Sequence, residues 1–253
     1  MLKLLYRIYQ LLVCVPVMIV WTIFISLTTT IGCLLGGGHF WGYAPGKWWS
    51  WFTVKLFLLP VKVEGREHLQ KGQSYVFVAN HQGAFDIFLV YGYLWRNFKW
   101  MMKWQIQKIP FVGFACKMSH QIMVDKRSNS KIRATYQQAQ SILKGGTSLM
   151  VFPEGARSFT GHMAKFKRGA FMLADELQLP VVPLTINGSF NVLPRTCDWH
   201  FVNWHPLRLT IHGPLHPESQ GADNVKRMMN ESYSIIMKAL VPEYQGYVEN
   251  PDQ

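Results

Sequence analysis

From Ile8 to Gly46 the chain carries no lysine, arginine, aspartate or glutamate, and this run constrains the fold more than any other feature. A helix needs about 20 apolar residues to span the hydrocarbon core of a bilayer, and residues 11–35 supply them. Lys3 and Arg7 would suit the basic start of a cleaved secretory signal, but the apolar run exceeds the roughly 7–15 residues of such a segment and no small-residue cleavage site follows. Gly36, Gly37 and Gly38 break the helix, and a second segment, 40–59, mixes Trp41, Trp48, Trp49, Trp51 and Phe52 with Lys47 and Lys55. Indole and a snorkelling ammonium each want one wet end, which the headgroup boundary provides. A single crossing with Lys3 and Arg7 in the cytoplasm would place the basic remainder outside. The expectation is therefore a helical hairpin that enters and leaves one leaflet, monotopic on the cytoplasmic face of the inner or plasma membrane, with two full crossings as the alternative.

Charge supports contact with lipid. Charged residues make up 16% of the 253 and aromatics 14%, against about 25% charged in ordinary soluble domains. The net charge of +12 asks for an anionic partner. Its basic residues are scattered, with no Lys/Arg run and no nucleic-acid signature, so acidic lipid or a phosphorylated substrate is expected and nucleic acid is not. Cys14, Cys33, Cys116 and Cys197 lie far apart without a CxxC pair, which predicts no disulfide framework, no metal site and a reducing compartment.

From Pro60 onward short β-rich runs alternate with helical stretches. Strands are predicted at 61–65, 75–79, 99–103, 121–125, 148–152, 181–186 and 208–212, and helices at 85–95, 131–144, 169–177 and 222–239. Such alternation implies an α/β domain, 60–253, with a mixed, largely parallel sheet flanked by helices. Residues 1–59 precede it as a membrane-associated two-helix hairpin. In the helix 222–239, Val225, Met228, Met229, Ile235 and Ile236 mark a core-facing stripe. The polar residues 245–253 read as a frayed end.

Two strand ends carry chemistry. Tyr75-Val76-Phe77-Val78-Ala79 runs into Asn80-His81-Gln82-Gly83-Ala84-Phe85-Asp86, so His81 stands where a strand stops and a helix starts, the usual edge for ligands in open α/β sheets. On a continuous helix His81 and Asp86 would diverge by about 140°. They meet only if His81 occupies the turn before the helix and Asp86 reaches back from its first turn. A carboxylate on one imidazole nitrogen then leaves the other free as a general base. Read alone, the pair also fits a capping histidine beside a first-turn acid. The strand 148–152 ends in Pro153-Glu154-Gly155-Ala156-Arg157-Ser158. There Arg157 can bind phosphate bidentately and the Gly155 backbone can approach a ligand. His200 and His205, with Trp199 and Trp204, have no third ligand and read as a packed aromatic loop.

Residues 80–86 and 152–158 together resemble motifs of the glycerolipid acyltransferase family, best known for lysophosphatidic acid acyltransferases. Residues 121–127 resemble its second motif and Val181-Val182-Pro183-Leu184 its fourth, so the likeness covers about 60–211. The second motif departs from the family where Ser119, His120 and Lys126 intervene. The resemblance implies that His81 deprotonates the acceptor hydroxyl and Asp86 orients His81. It further implies that Glu154, Gly155 and Arg157 hold the glycerol phosphate, with Lys103 and Arg127 as further phosphate contacts, and that Pro183 shapes the donor pocket. The implied reaction takes an acyl group from acyl-CoA or an acyl carrier protein to the 2-hydroxyl of lysophosphatidic acid, without metal or cofactor, giving phosphatidic acid. The implied partners are the lysophospholipid, the acyl donor and membrane lipids. Another lysolipid acceptor, a lipid hydrolase or a non-catalytic adaptor remain alternatives. Ser158 lacks the G-x-S-x-G elbow of an acylated nucleophile.

Overall fold

The computed structural model describes residues 1–125, 127–144, 146–196 and 200–247; Lys126, Cys197, Trp199 and the end from residue 248 lie outside them. Seven strands, β1 (Val61–Glu64), β2 (Val76–Ala79), β3 (Phe98–Lys103), β4 (Ile122–Val124), β5 (Ser148–Val151), β6 (Val181–Asn187) and β7 (Leu207–Ile211), form one sheet in the order β1-β7-β6-β2-β5-β3-β4. Only β6 and β7 pair antiparallel; the remaining neighbours are parallel. These are the seven predicted strands, with ends moved by a residue or two.

Every residue of β2 is buried, because both faces of the sheet are covered. Phe77 and Ala79 point into one core with Phe85, Leu89, Phe98 and Trp100. Val76 and Val78 point into another with Leu143, Leu149, Phe171, Leu173 and Met228. The helices that do the covering are α1 (Leu2–Leu34), α2 (Ala44–Leu56), α3 (Phe85–Tyr93), α4 (Val112–Met118), α5 (Asn129–Lys144), α6 (Gly169–Glu176) and α7 (Ala222–Ala239). The predicted stripe of α7 buries Val225, Met228 and Ile236. The sequence reading omits α4, a seven-residue element too short for a periodic pattern to register.

The first helix starts at Leu2 rather than at residue 11, for a reason local to its first turns. Tyr6 and Tyr9 donate their hydroxyls to the Phe57 and Leu56 carbonyls at 2.7 and 2.8 Å. The helix then widens into one π turn at Gln10–Cys14, which swings the Gln10 amide onto the backbone of Val202. There Gln10 Nε2 donates to the Val202 carbonyl at 2.8 Å and Val202 N donates to Gln10 Oε1 at 3.0 Å. Beyond this clamp α1 is apolar and open, with Leu12, Ile19, Val20, Phe24 and Ile31 exposed. The hairpin is no detached appendage: Cys14, Val54, Phe57 and Leu59 share the first core with Phe77 and Phe85, and Trp204 Nε1 donates to the Leu58 carbonyl at 2.9 Å.

This clamp yields a stability prediction. Gln10→Leu keeps the volume but leaves the Val202 N–H and C=O without partners. The expected loss is about 1–3 kcal/mol, or roughly 2–4 °C in Tm per kcal/mol for a chain of this size, read by thermal unfolding in detergent. An unchanged Tm would show that α1 docks by apolar contact alone.

Candidate active site

Strand register brings the two motif turns together. Val78 pairs with Val151 across the parallel β2–β5 ladder, so both strands end side by side and hand over to residues 80–86 and 152–158. His81 occupies the turn after β2, and Asp86 is the second residue of α3. The carboxylate reaches back: Asp86 Oδ2 lies 2.7 Å from His81 Nδ1 and accepts the N–H groups of Gln82 at 2.7 Å and Gly83 at 2.9 Å. An ionised carboxylate only accepts, which assigns the proton to Nδ1 and leaves the Nε2 lone pair free. Asp86 is 0% exposed, and its Oδ1 has no hydrogen-bond partner among the described residues.

The histidine is braced from the neighbouring strand. Glu154 Oε1 accepts the His81 N–H at 2.7 Å across 73 residues of sequence, and Oε2 accepts the Ala164 N–H at 2.9 Å. Burial pushes the Glu154 carboxyl up to about 8, against the two N–H donors that pull it down. The Phe152 ring stacks flat on the imidazole, centroids 3.9 Å apart and planes 8° from parallel. The Ser158 N–H donates to the His81 carbonyl at 2.8 Å, and the Asn80 amide clamps both backbone groups of Ile186 at 2.8 and 2.9 Å. Gly83 lets the turn approach its neighbour: a Cβ there would fall 2.4 Å from the Ser189 carbonyl oxygen.

The predicted ligand contacts divide. His81, Asp86, Glu154, Gly155 and Arg157 converge on one strand-end site. Arg157 is half-buried and pairs with no carboxylate among the described residues. Burial lowers its pKa and the nearby Arg195 lowers it further. Arg195 Nη1 donates to the Arg157 carbonyl at 3.1 Å, and its guanidinium lies 3.9 Å from the Phe159 ring centroid. Arg195 belongs to none of the motifs, and only the fold puts it here. Lys103 ends β3 on the same sheet edge, exposed and two strands from β2, about 10 Å away laterally.

Glu154, Gly155 and Arg127 are each engaged within the chain. Glu154 is 0% exposed, and its two oxygens accept the His81 and Ala164 N–H groups. The Gly155 N–H donates to the Phe152 carbonyl at 3.0 Å, and its φ of +80° closes that turn. Arg127 is occupied. Its guanidinium grips Asp125 through Nε at 2.9 Å and Nη2 at 2.6 Å and lies 3.9 Å from the Trp104 ring centroid, at the far strand β4.

A family model described as Acyltransferase matches residues 60–187. A chloroplastic 1-acyl-sn-glycerol-3-phosphate acyltransferase of Arabidopsis thaliana is 31% identical over 66% of this chain and 47% of its own. The human 1-acyl-sn-glycerol-3-phosphate acyltransferase alpha is 35% identical over 52% of this chain and 47% of its own. The chain thus spans about half the length of the curated relatives it matches. Among solved structures, the 1-acyl-sn-glycerophosphate (LPA) acyltransferase PlsC of Thermotoga maritima superposes with a TM-score of 0.76 over 92% of each chain at 23% identity, a likeness of fold.

The brace is testable without any activity assay. Glu154→Gln keeps the shape but must aim an NH2 at the N–H of either His81 or Ala164. The expected loss of folding stability is about 1–3 kcal/mol, read as a lower Tm. A variant as stable as the wild type would remove Glu154 from the support of His81.

Proposed function

The chain belongs to the acyltransferase family, and on that premise we propose that it moves a fatty acyl group from an acyl thioester to the 2-hydroxyl of lysophosphatidic acid, giving phosphatidic acid. The observation that carries the reading is the 2.7 Å contact of His81 Nδ1 with buried Asp86, close to the half-buried Arg157. The names of the matched relatives support the acceptor. The donor is acyl-CoA or an acyl carrier protein.

A thioester is already activated, so the alcohol is the poor partner. His81 Nε2 removes the hydroxyl proton as the new C–O bond forms. The tetrahedral intermediate then collapses, the C–S bond breaks, and the proton on His81 passes to the leaving thiolate. A positioned base supplies about 10² to 10⁴ in rate, and alignment of the two substrates supplies more. Arg157, Lys103 and Arg195 make the mouth cationic, which suits the acceptor phosphate.

The exposed apolar face of α1 and the exposed indoles of Trp48 and Trp51 support a monotopic seat in one leaflet, which we assign to the cytoplasmic face. There the hairpin holds the site against lipid.

His81→Ala should remove nearly all turnover while the fold persists, and Asp86→Asn should cut kcat heavily by releasing the imidazole. The assay is acyl transfer by purified protein in detergent, with products read by mass spectrometry. Retention of more than about a tenth of wild-type turnover by His81→Ala is less loss than a general base should cause and would sink the mechanism.

Arg157→Ala should lose roughly tenfold to a hundredfold in kcat/KM on lysophosphatidic acid, the equivalent of about 1.5–3 kcal/mol for a charge-assisted contact, with a smaller loss on an acceptor lacking the terminal phosphate. Equal losses on both would make Arg157 structural.

A further inference from the structure

At the sheet edge opposite His81 a cavity of about 510 Å³ opens between the hairpin tip and the last turns of α5. Its polar lining comes from His39 of the tip, Asn97 and Lys99 where β3 begins, His120 after α4, Gln138 of α5 and Thr147 before β5. By strand rise, Lys99 lies roughly 16 Å below the level of His81 along the sheet. The lining holds one ammonium, two imidazoles, two amides and hydroxyls, and none of its residues is Asp or Glu.

Lys99 is the anomaly. It is 8% exposed, donates only to the Gly42 carbonyl at 3.3 Å, and has no acidic partner among the described residues. A buried ammonium without a counter-ion is costly, and burial pulls its pKa down. A methionine would fill the same volume without that cost. The turn that presents His120 is also held in place. His120 has φ +55°, uncommon for any residue but glycine, while the next residue, Gln121, accepts the Trp100 N–H at 2.7 Å.

We propose that this cavity is a phosphate-binding site, separate from the catalytic one, in which Lys99, His39 and His120 hold a phosphate monoester. A volume of this size lies within the roughly 300–1,000 Å³ of small-ligand sites. The same chemistry is offered by free phosphate and by the headgroup of an acidic lipid. Phe40, next in the chain to His39, is exposed, as is Leu35 at the hairpin tip, so the tip offers apolar surface for acyl chains attached to the phosphate. Because His39 belongs to the hairpin and Lys99 to the sheet, the bound anion ties one to the other. The proposal does not depend on the acyl-transfer reading.

The test uses the full chain in micelles with ring-¹³C histidine, at fixed pH, in an Arg157→Ala background that weakens phosphate binding at the other site. Inorganic phosphate is titrated first; lipid vesicles of phosphatidylcholine with and without phosphatidic acid follow. The His39 and His120 ring resonances should move and saturate with one or both phosphates. A response to inorganic phosphate assigns the site to the free anion as well, and a response only to phosphatidic acid assigns it to the lipid. Lys99→Met should weaken binding about tenfold or more. His120→Gln, at an exposed position, should weaken it too and serves if the buried variant fails to fold. No movement with either phosphate, or unchanged affinity in the folded charge-removing variants, would overturn the proposal.

Discussion

One oxygen atom organises the site. Asp86 Oδ2 gathers three N–H groups, from the His81 ring and from the backbones of Gln82 and Gly83, and so closes the turn between β2 and α3 while aiming the imidazole. The two tasks are inseparable. The carboxylate can reach His81 only because the chain turns sharply at Gly83, and the turn is held because the carboxylate ties down its N–H groups.

The sheet exists, in functional terms, to hold that turn still. Parallel pairing of β2 with β5 and β6 lets three distant segments grip residues 80–83 from either side: Glu154 on the His81 N–H, Ile186 on the Asn80 amide, and the Ser189 backbone against Gly83. Phe152 fixes the plane of the ring, and Trp100 stacks behind Phe152 at 5.6 Å. The hairpin completes the layer on that side, since Phe57 packs edge-on against Phe85 at 5.5 Å. The apolar N-terminal hairpin and the strand-end turns therefore share one core.

The seven strands were legible because each is a short β-rich run ended by Gly, Pro or a polar turn. The His81–Asp86 contact was legible in part: its spacing lets the two side chains meet only across a turn and a first helical turn, but it was the motif after β5 that set the pair apart from a capping histidine. The brace that Glu154 gives His81 was not legible because sequence does not show burial: a glutamate after a strand looks the same whether it faces solvent or two backbone N–H groups. Arg195 carries no local pattern at all, and only tertiary packing brings it to Arg157. The helix start at Leu2 was hidden for a related reason. The first turns are set by the partners that Tyr6, Tyr9 and Gln10 find at Phe57, Leu56 and Val202, far along the chain.

The central claim is that Asp86 fixes the tautomer of His81 and leaves Nε2 basic. The direct measurement is ¹⁵N NMR of the ring nitrogens in the full chain, with the His81 signals assigned by their loss in His81→Ala. At a pH where His81 is neutral, the account predicts a protonated, hydrogen-bonded Nδ1 and an unprotonated Nε2, and a loss of that preference in Asp86→Asn. A proton found on Nε2 in the wild type, or a tautomer unmoved by Asp86→Asn, would contradict it.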